Sequence, residues 1–106
     1  MMYELECRYD TRQSFYGKAK VKETHEIQDL MEYTTLELYS YGTMVARITR
    51  NEETCLSTCE LIPYKTLNGR IRTQTTTRHI KEFFKQYDLT DKEIKELFKN
   101  GVLGVR

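Results

Sequence analysis

The stretch TTTRHIKEFFKQY, residues 75–87, decides how the rest of the chain is read. Ile80, Phe83, Phe84 and Tyr87 fall three, four and seven residues on from the first of them, the spacing of one buried stripe on an α-helix. Lys81 and Lys85 lie off that stripe. A threonine among Thr75 to Thr77 is placed to cap the first turn. A second, shorter helix follows. Thr90-Asp91-Lys92-Glu93 fits a capping box, with Thr90 as cap and Glu93 reaching back to it. Ile94, Leu97 and Phe98 form its buried side, and Gly101 is the expected stop. The tail Val102 to Arg106 reads either as a frayed end or as a last edge strand.

Upstream of residue 75 the period is two. Tyr3 to Tyr9 reads as extended, and Asp10 to Gln13 as a turn. Phe15, Gly17, Ala19 and Val21 alternate with Tyr16, Lys18, Lys20 and Lys22, giving one small apolar face and one long basic face. Glu23 to Asp29 is acidic and reads as a hairpin connection. Leu30 to Thr35 is ambiguous between strand and helical turn. Leu36, Leu38 and Ser40 alternate with Glu37, Tyr39 and Tyr41, and Gly42 turns the chain. Met44, Ala46 and Ile48 then form an inward set, and Asn51 to Glu53 closes a turn. A strand from Thr54 to Ile62 ends at Pro63, which cannot donate to a central ladder. Asn68-Gly69 is a turn dipeptide, and Arg70 and Arg72 project together beyond it. The expected fold is α+β: an antiparallel β-sheet of four to six strands packed against a C-terminal helix, followed by a second short helix.

Length and composition bound the function. The chain has 106 residues, one proline and no tryptophan, the size of one domain, residues 1–106. A hydrophobic fraction of 39% with eight tyrosines and four phenylalanines is too rich for disorder. No apolar run approaches the ~20 residues needed to span a bilayer, so no membrane association is expected. The start, MMYELECRYD, has acids where a secretion signal needs an apolar core, so no secretion signal is expected, and the odd set of cysteines suits a reducing cytoplasm. Cys7, Cys55 and Cys59 are an odd set without a matching histidine pair, so neither a disulfide scaffold nor a zinc site is expected. They read as small buried hydrophobes.

The formal net charge of +1 conceals a division. Residues 23–60 carry eight acidic and two basic groups, whereas residues 63–87 carry six basic groups and Glu82 alone. Glu23, Glu26, Asp29, Glu32 and Glu37, with Tyr39 and Tyr41, form the candidate protein-binding set, because tyrosine is favoured at interfaces. Lys65, Arg70, Arg72, Arg78, Lys81 and Lys85 form the alternative, a basic strand–helix junction able to hold phosphate. His25 and His79 have no recognisable partner for acid–base work, so His79 is expected to be structural. No phosphate loop, nucleophile elbow or cofactor motif is present. No cofactor and no enzymatic activity are expected.

Three blocks, SFYGKA at 14–19, LYSYGTMVARI at 38–48 and TTTRHIKEF at 75–83, resemble a family of small uncharacterised proteins encoded by phages and mobile elements of Gram-positive bacteria. The resemblance implies a small accessory protein of the host-cell cytoplasm that binds a host protein or nucleic acid. Inhibition of a defence nuclease, an anti-CRISPR role included, belongs to that class. Residues 23–35, before the second block, read as an acidic insertion where a specialised partner contact is added. The expected activity is stoichiometric binding that occludes a host protein; the alternative is nucleic-acid binding through the basic junction. An exposed strand edge or the tail Val102 to Val105 gives a route to a homodimer.

Overall fold

A computed structural model describes residues 1–10, 15, 17–62 and 74–105. Six strands, β1 (Met2–Glu4), β2 (Ala19–Gln28), β3 (Met31–Ser40), β4 (Thr43–Asn51), β5 (Ser57–Leu61) and β6 (Val102–Val105), form one antiparallel sheet in sequence order. Helices α1 (Gln74–Gln86) and α2 (Asp91–Asn100) lie in the chain between β5 and β6 and cover one face. The architecture is the expected one, with two helices sharing the covering layer.

The registers explain which side chains meet. Val21, Leu38, Ala46 and Leu61 are successive cross-strand partners, and Leu36, Ile48 and Cys59 form a parallel row. Against these rows pack Ile80, Phe83 and Phe84 of α1 and Ile94 and Leu97 of α2. Phe83 and Phe84 are fully covered, each ring edge-on to the other at 5.1 Å. Burying such a side chain is worth about 1.5–3 kcal/mol, so the stripe read from residues 80–87 is the main adhesive between the layers.

Several local expectations change. β2 runs through Gln28, so the acidic segment 23–28 is strand and the connection to β3 is only Asp29-Leu30. Both turn residues have positive φ, 51° and 67°, the backbone of a type I′ hairpin. Leu30 to Thr35 resolves as strand from Met31 onward. In β4 a bulge opposite Leu38 and Tyr39 puts Met44, not Val45, across from Tyr39, and Val45 and Ala46 are both buried. The extended reading of residues 3–9 shrinks to β1, and β5 begins at Ser57. Cys59 alone of the cysteines is buried, while Cys55 is exposed. α1 begins at Gln74, so Thr75 to Thr77 lie inside its first turns rather than capping it. The tail is strand β6, paired to β5. The turn reading of 11–13, Tyr16, Asn68-Gly69 and the Arg70–Arg72 strand lie outside the described residues.

The end of α1 and the start of α2 follow the sequence closely. Asp88 takes a left-handed φ of 66°, and the amide of Leu89 returns to the Phe84 carbonyl. Thr90 and Glu93 then cap α2 reciprocally, and Gly101 closes it in the left-handed conformation, φ 81°.

Candidate protein-binding surface

The β2–β3 hairpin carries ten residues in each strand, and the nine steps from Met31 to Ser40 span about 30 Å. Its two ends differ. At the Ser40 end the helix-side residues Ala19, Val21, Leu38 and Ser40 are buried. At the Met31 end Ile27 is 77%, Leu30 93% and Met31 38% exposed. Nearby, the Glu52 amide donates to the Glu32 carbonyl, which brings the β4–β5 connection to the same end. That connection exposes Leu56 as well, at 49%. Nine large hydrophobic side chains are exposed among the described residues, and four belong to this one end of the sheet.

Carboxylates frame the apolar tip. Ile27 pairs with Glu32 across the hairpin, and Glu26 pairs with Tyr33 on the opposite face. Glu26 accepts from the Gln28 side-chain amide at 3.2 Å, and Asp29 sits in the turn itself. Between Glu23 and Ala46 the sequence has five carboxylates and no lysine or arginine. Glu26, Asp29 and Glu32 therefore give the tip a negative field, while Arg50, the Cα partner of Thr34 on β4, lies 4.0 Å from the Glu52 carboxylate.

The sequence-predicted set is only partly assembled. Glu26, Asp29 and Glu32 gather at the tip. Glu23 lies lower on the helix side, bonded to His25 at 3.1 Å. Glu37 lies mid-sheet, its Cα partners being Lys22 and Arg47. Tyr39 is half-buried opposite Lys20 and Met44, and Tyr41 lies at the far end, its ring 5.8 Å from that of His79. Of the basic alternative, Lys65, Arg70 and Arg72 lie outside the described residues. Arg78 is half-buried, Lys81 is exposed, and Lys85 pairs with Asp91 at 3.3 Å.

Sequence reasoning missed Ile27, Leu30 and Met31. The signal was weak: Ile27 is in phase with Ala19 and Val21, but the polar Glu23 and His25 stand between them on that face. The turn itself carried none, since a type I′ turn favours Asn-Gly or Asp-Gly and this one is Asp-Leu.

Groups with chemical potential are otherwise tied into structure. His25 lies on β2, not in a loop; its Nδ1 and Thr34 Oγ1 are 3.0 Å apart, and its Nε2 is 3.1 Å from Glu23. This hydroxyl–imidazole–carboxylate order lines a cleft of about 310 Å³. Its imidazole is more than half exposed, whereas nucleophilic catalysis depends on a preorganised site that excludes water. Cys59 lies in the cleft floor, where burial first and Glu93 second push its thiol up to about 11. Such a thiol stays protonated and unreactive at neutral pH. The Tyr87 phenol shares a 2.8 Å hydrogen bond with Tyr3, and burial, then that bond, push it well above the ordinary phenol range. Among the described residues no group of three or more His, Cys, Asp or Glu is placed to hold a metal ion. No described helix is long and apolar enough to cross a membrane.

The fold and its exposed hairpin define a class, a meander sheet with one helical layer and an apolar, acid-rimmed tip. More specifically, the model described as "Family of unknown function (DUF8033)" matches residues 3–100, and the chain belongs to that family. No curated protein and no solved structure matches it.

Proposed function

We propose that the chain is a stoichiometric protein-binding module that occludes a partner through the tip of the β2–β3 hairpin. The observation that carries this reading is Leu30. It holds a left-handed φ of 67° and is 93% exposed. Glycine or asparagine would relax that backbone, and an exposed leucine gains nothing from burial in return. A strained position with no structural return is where a binding contact is expected. Ile27 on the helix-side face and Met31 on the opposite face flank Leu30, both exposed. The resemblance to mobile-element proteins makes a host protein the partner class, a defence nuclease included, with inhibition as the outcome.

The test is affinity capture from a host lysate with the wild-type chain and with Leu30→Gly. A specific protein retained by the former and lost by the latter supports the reading. Capture of the same protein by both, or of none, overturns it.

A second reading rests on a groove of about 530 Å³ between α1 and α2 lined by Lys81, Lys85 and Lys95, with Asp91 beside Lys85. Contact with nucleic-acid phosphates there would weaken steeply with salt. An electrophoretic shift on duplex and single-stranded DNA at two salt concentrations tests it, and absent or salt-insensitive binding excludes it.

A further inference from the structure

The outer edge of β2 changes character along its length. At its lower part β1 covers it, pairing Met2 with Lys22, Tyr3 with Val21 and Glu4 with Lys20. The last bonds of that ladder run between Met1 and Glu23: the Glu23 amide donates to the Met1 carbonyl at 2.7 Å, and the terminal amine donates back at 3.0 Å. Beyond Glu23, Thr24 to Gln28 have no partner on this side among the described residues. In an antiparallel ladder, alternate residues turn both backbone polar groups to the same neighbour. Glu23 turns its pair outward, so His25 and Ile27 do the same. They present unpaired donors and acceptors in line with β1.

This edge has few of the devices that usually protect one. Thr24 to Gln28 contain no proline and no lysine, and the register with β3 is regular from Ala19–Ser40 to Gln28–Met31. A carboxylate, Glu26, stands at its centre. Two copies pairing antiparallel over the whole stretch would set His25 against Ile27 and Glu26 against Glu26. Like charges directly opposite are destabilising, so the edge disfavours a second copy. A basic side chain in that place is favoured, and the surrounding acids Asp29 and Glu32 favour it further.

We propose that the hairpin receives an extended, basic segment of a partner protein, which adds as a strand along Thr24 to Gln28 in the column that β1 begins. This deepens the protein-binding reading and rests on it. Backbone hydrogen bonds to His25 and Ile27 supply the register. An apolar side chain of the segment packs on Ile27, and a basic one meets Glu26 on the opposite face. The recognised pattern is therefore apolar–basic–apolar in a strand.

The probe is a labelled peptide of alternating valine and lysine, with a valine–glutamate peptide beside it. The lysine peptide is expected to shift the backbone amide resonances of Thr24 to Gln28 and to bind more weakly as salt rises. Ile27→Pro removes an outward N–H and leaves the β2–β3 ladder intact, so the thermal midpoint should hold while affinity falls about tenfold. Glu26→Lys, a surface change that keeps the fold, should reverse the preference toward the glutamate peptide. Equal binding of the two peptides by the wild-type chain overturns the proposal, as does unchanged binding to Ile27→Pro. A sedimenting dimer dissolved by Ile27→Pro also overturns it, because the edge would then belong to a second copy. If a captured protein depends on Leu30 but not on Ile27→Pro, strand addition fails and the tip reading stands. Capture that depends on neither removes both.

Discussion

The two ends of the β2–β3 hairpin break the rule of apolar inside and polar outside in opposite directions. At the Ser40 end polar groups are buried. His79, 1% exposed, lies with its Nδ1 2.8 Å from the Ser40 hydroxyl, and Ser40 in turn lies 3.0 Å from the Thr76 hydroxyl. Phe15 packs edge-on to the imidazole at 4.5 Å. At the other end Ile27 and Leu30 stand in solvent. The first violation is compensated where it occurs, because these buried polar groups have hydrogen-bond partners. The second has no compensation within the described residues. That contrast separates polar residues that build the fold from apolar residues available to a partner.

The largest effect is expected where compensation is densest. Glu82 is 2% exposed on α1, and one of its carboxylate oxygens accepts from the amides of Arg8, Tyr9 and Asp10 at 2.7–2.9 Å. The other oxygen accepts from Gln86, whose amide also bonds the Glu6 carbonyl. Glu82→Ala leaves three amides without their acceptor and should cost about 3–5 kcal/mol. Chemical denaturation measures it. Glu82→Gln keeps an acceptor oxygen and should recover about half of the loss. Equal loss in both variants would mean that the charge, rather than the geometry of acceptance, holds the segment.

Ser40→Ala is the next test. It removes the hydroxyl shared by His79 and Thr76 and should cost about 1–2 kcal/mol. A neutral result would show that the buried end is held by packing against Phe15 and Tyr41, and the contrast between the ends would lose its polar half.

Much of this was legible in the sequence, for reasons that differ by region. The α1 stripe and the Thr90–Glu93 box were readable because both depend on spacing within one element. The strand faces of Ala19–Val21 and Leu36–Ser40 were readable because period two survives burial of a single face. The position of β6 was not, since Val102 to Val105 is too short to show a period and becomes a strand only by pairing with β5. Glu82 was counted among the charges of a helix. Its burial depends on the fold of residues 8–10, more than seventy positions away. The candidate surface was half legible. Charge marked Glu26, Asp29 and Glu32, but the same acidity made strand residues 23–28 look like a loop and hid Ile27. Tyr39 and Tyr41 were grouped with those acids by proximity in sequence, whereas the length of β3 separates them in space.

Leu30→Gly reverses the sign of the earlier effects. Relieving the left-handed leucine should raise stability by about 0.5–1 kcal/mol while abolishing partner capture. A thermal melt beside the capture experiment reads both quantities. Gain of stability with loss of binding is the trade-off expected of a residue kept for contact. Loss of both would mean that Leu30 supports the hairpin and would remove the distinction between its ends.

The last test concerns the cysteines and is invisible near neutrality. Cys59 is fully covered beneath the helices, whereas Cys55 lies exposed in the β4–β5 connection with a φ of 60°. An alkylating reagent at pH 8 should modify Cys55 promptly and reach Cys59 only on unfolding, which mass spectrometry resolves. The covered thiol titrates near 11 rather than at its ordinary 9.0. Because the folded value is the higher one, the unfolded chain loses its proton first as pH rises. The contribution of Cys59 to stability is therefore complete below pH 9 and is lost between about pH 9 and pH 11. Thermal midpoints of wild type and Cys59→Ala should differ by a constant amount up to pH 9 and converge above it. A constant difference through pH 11 would mean that water reaches the thiol, and that the layer between sheet and helices is less closed at the cleft than its packing indicates.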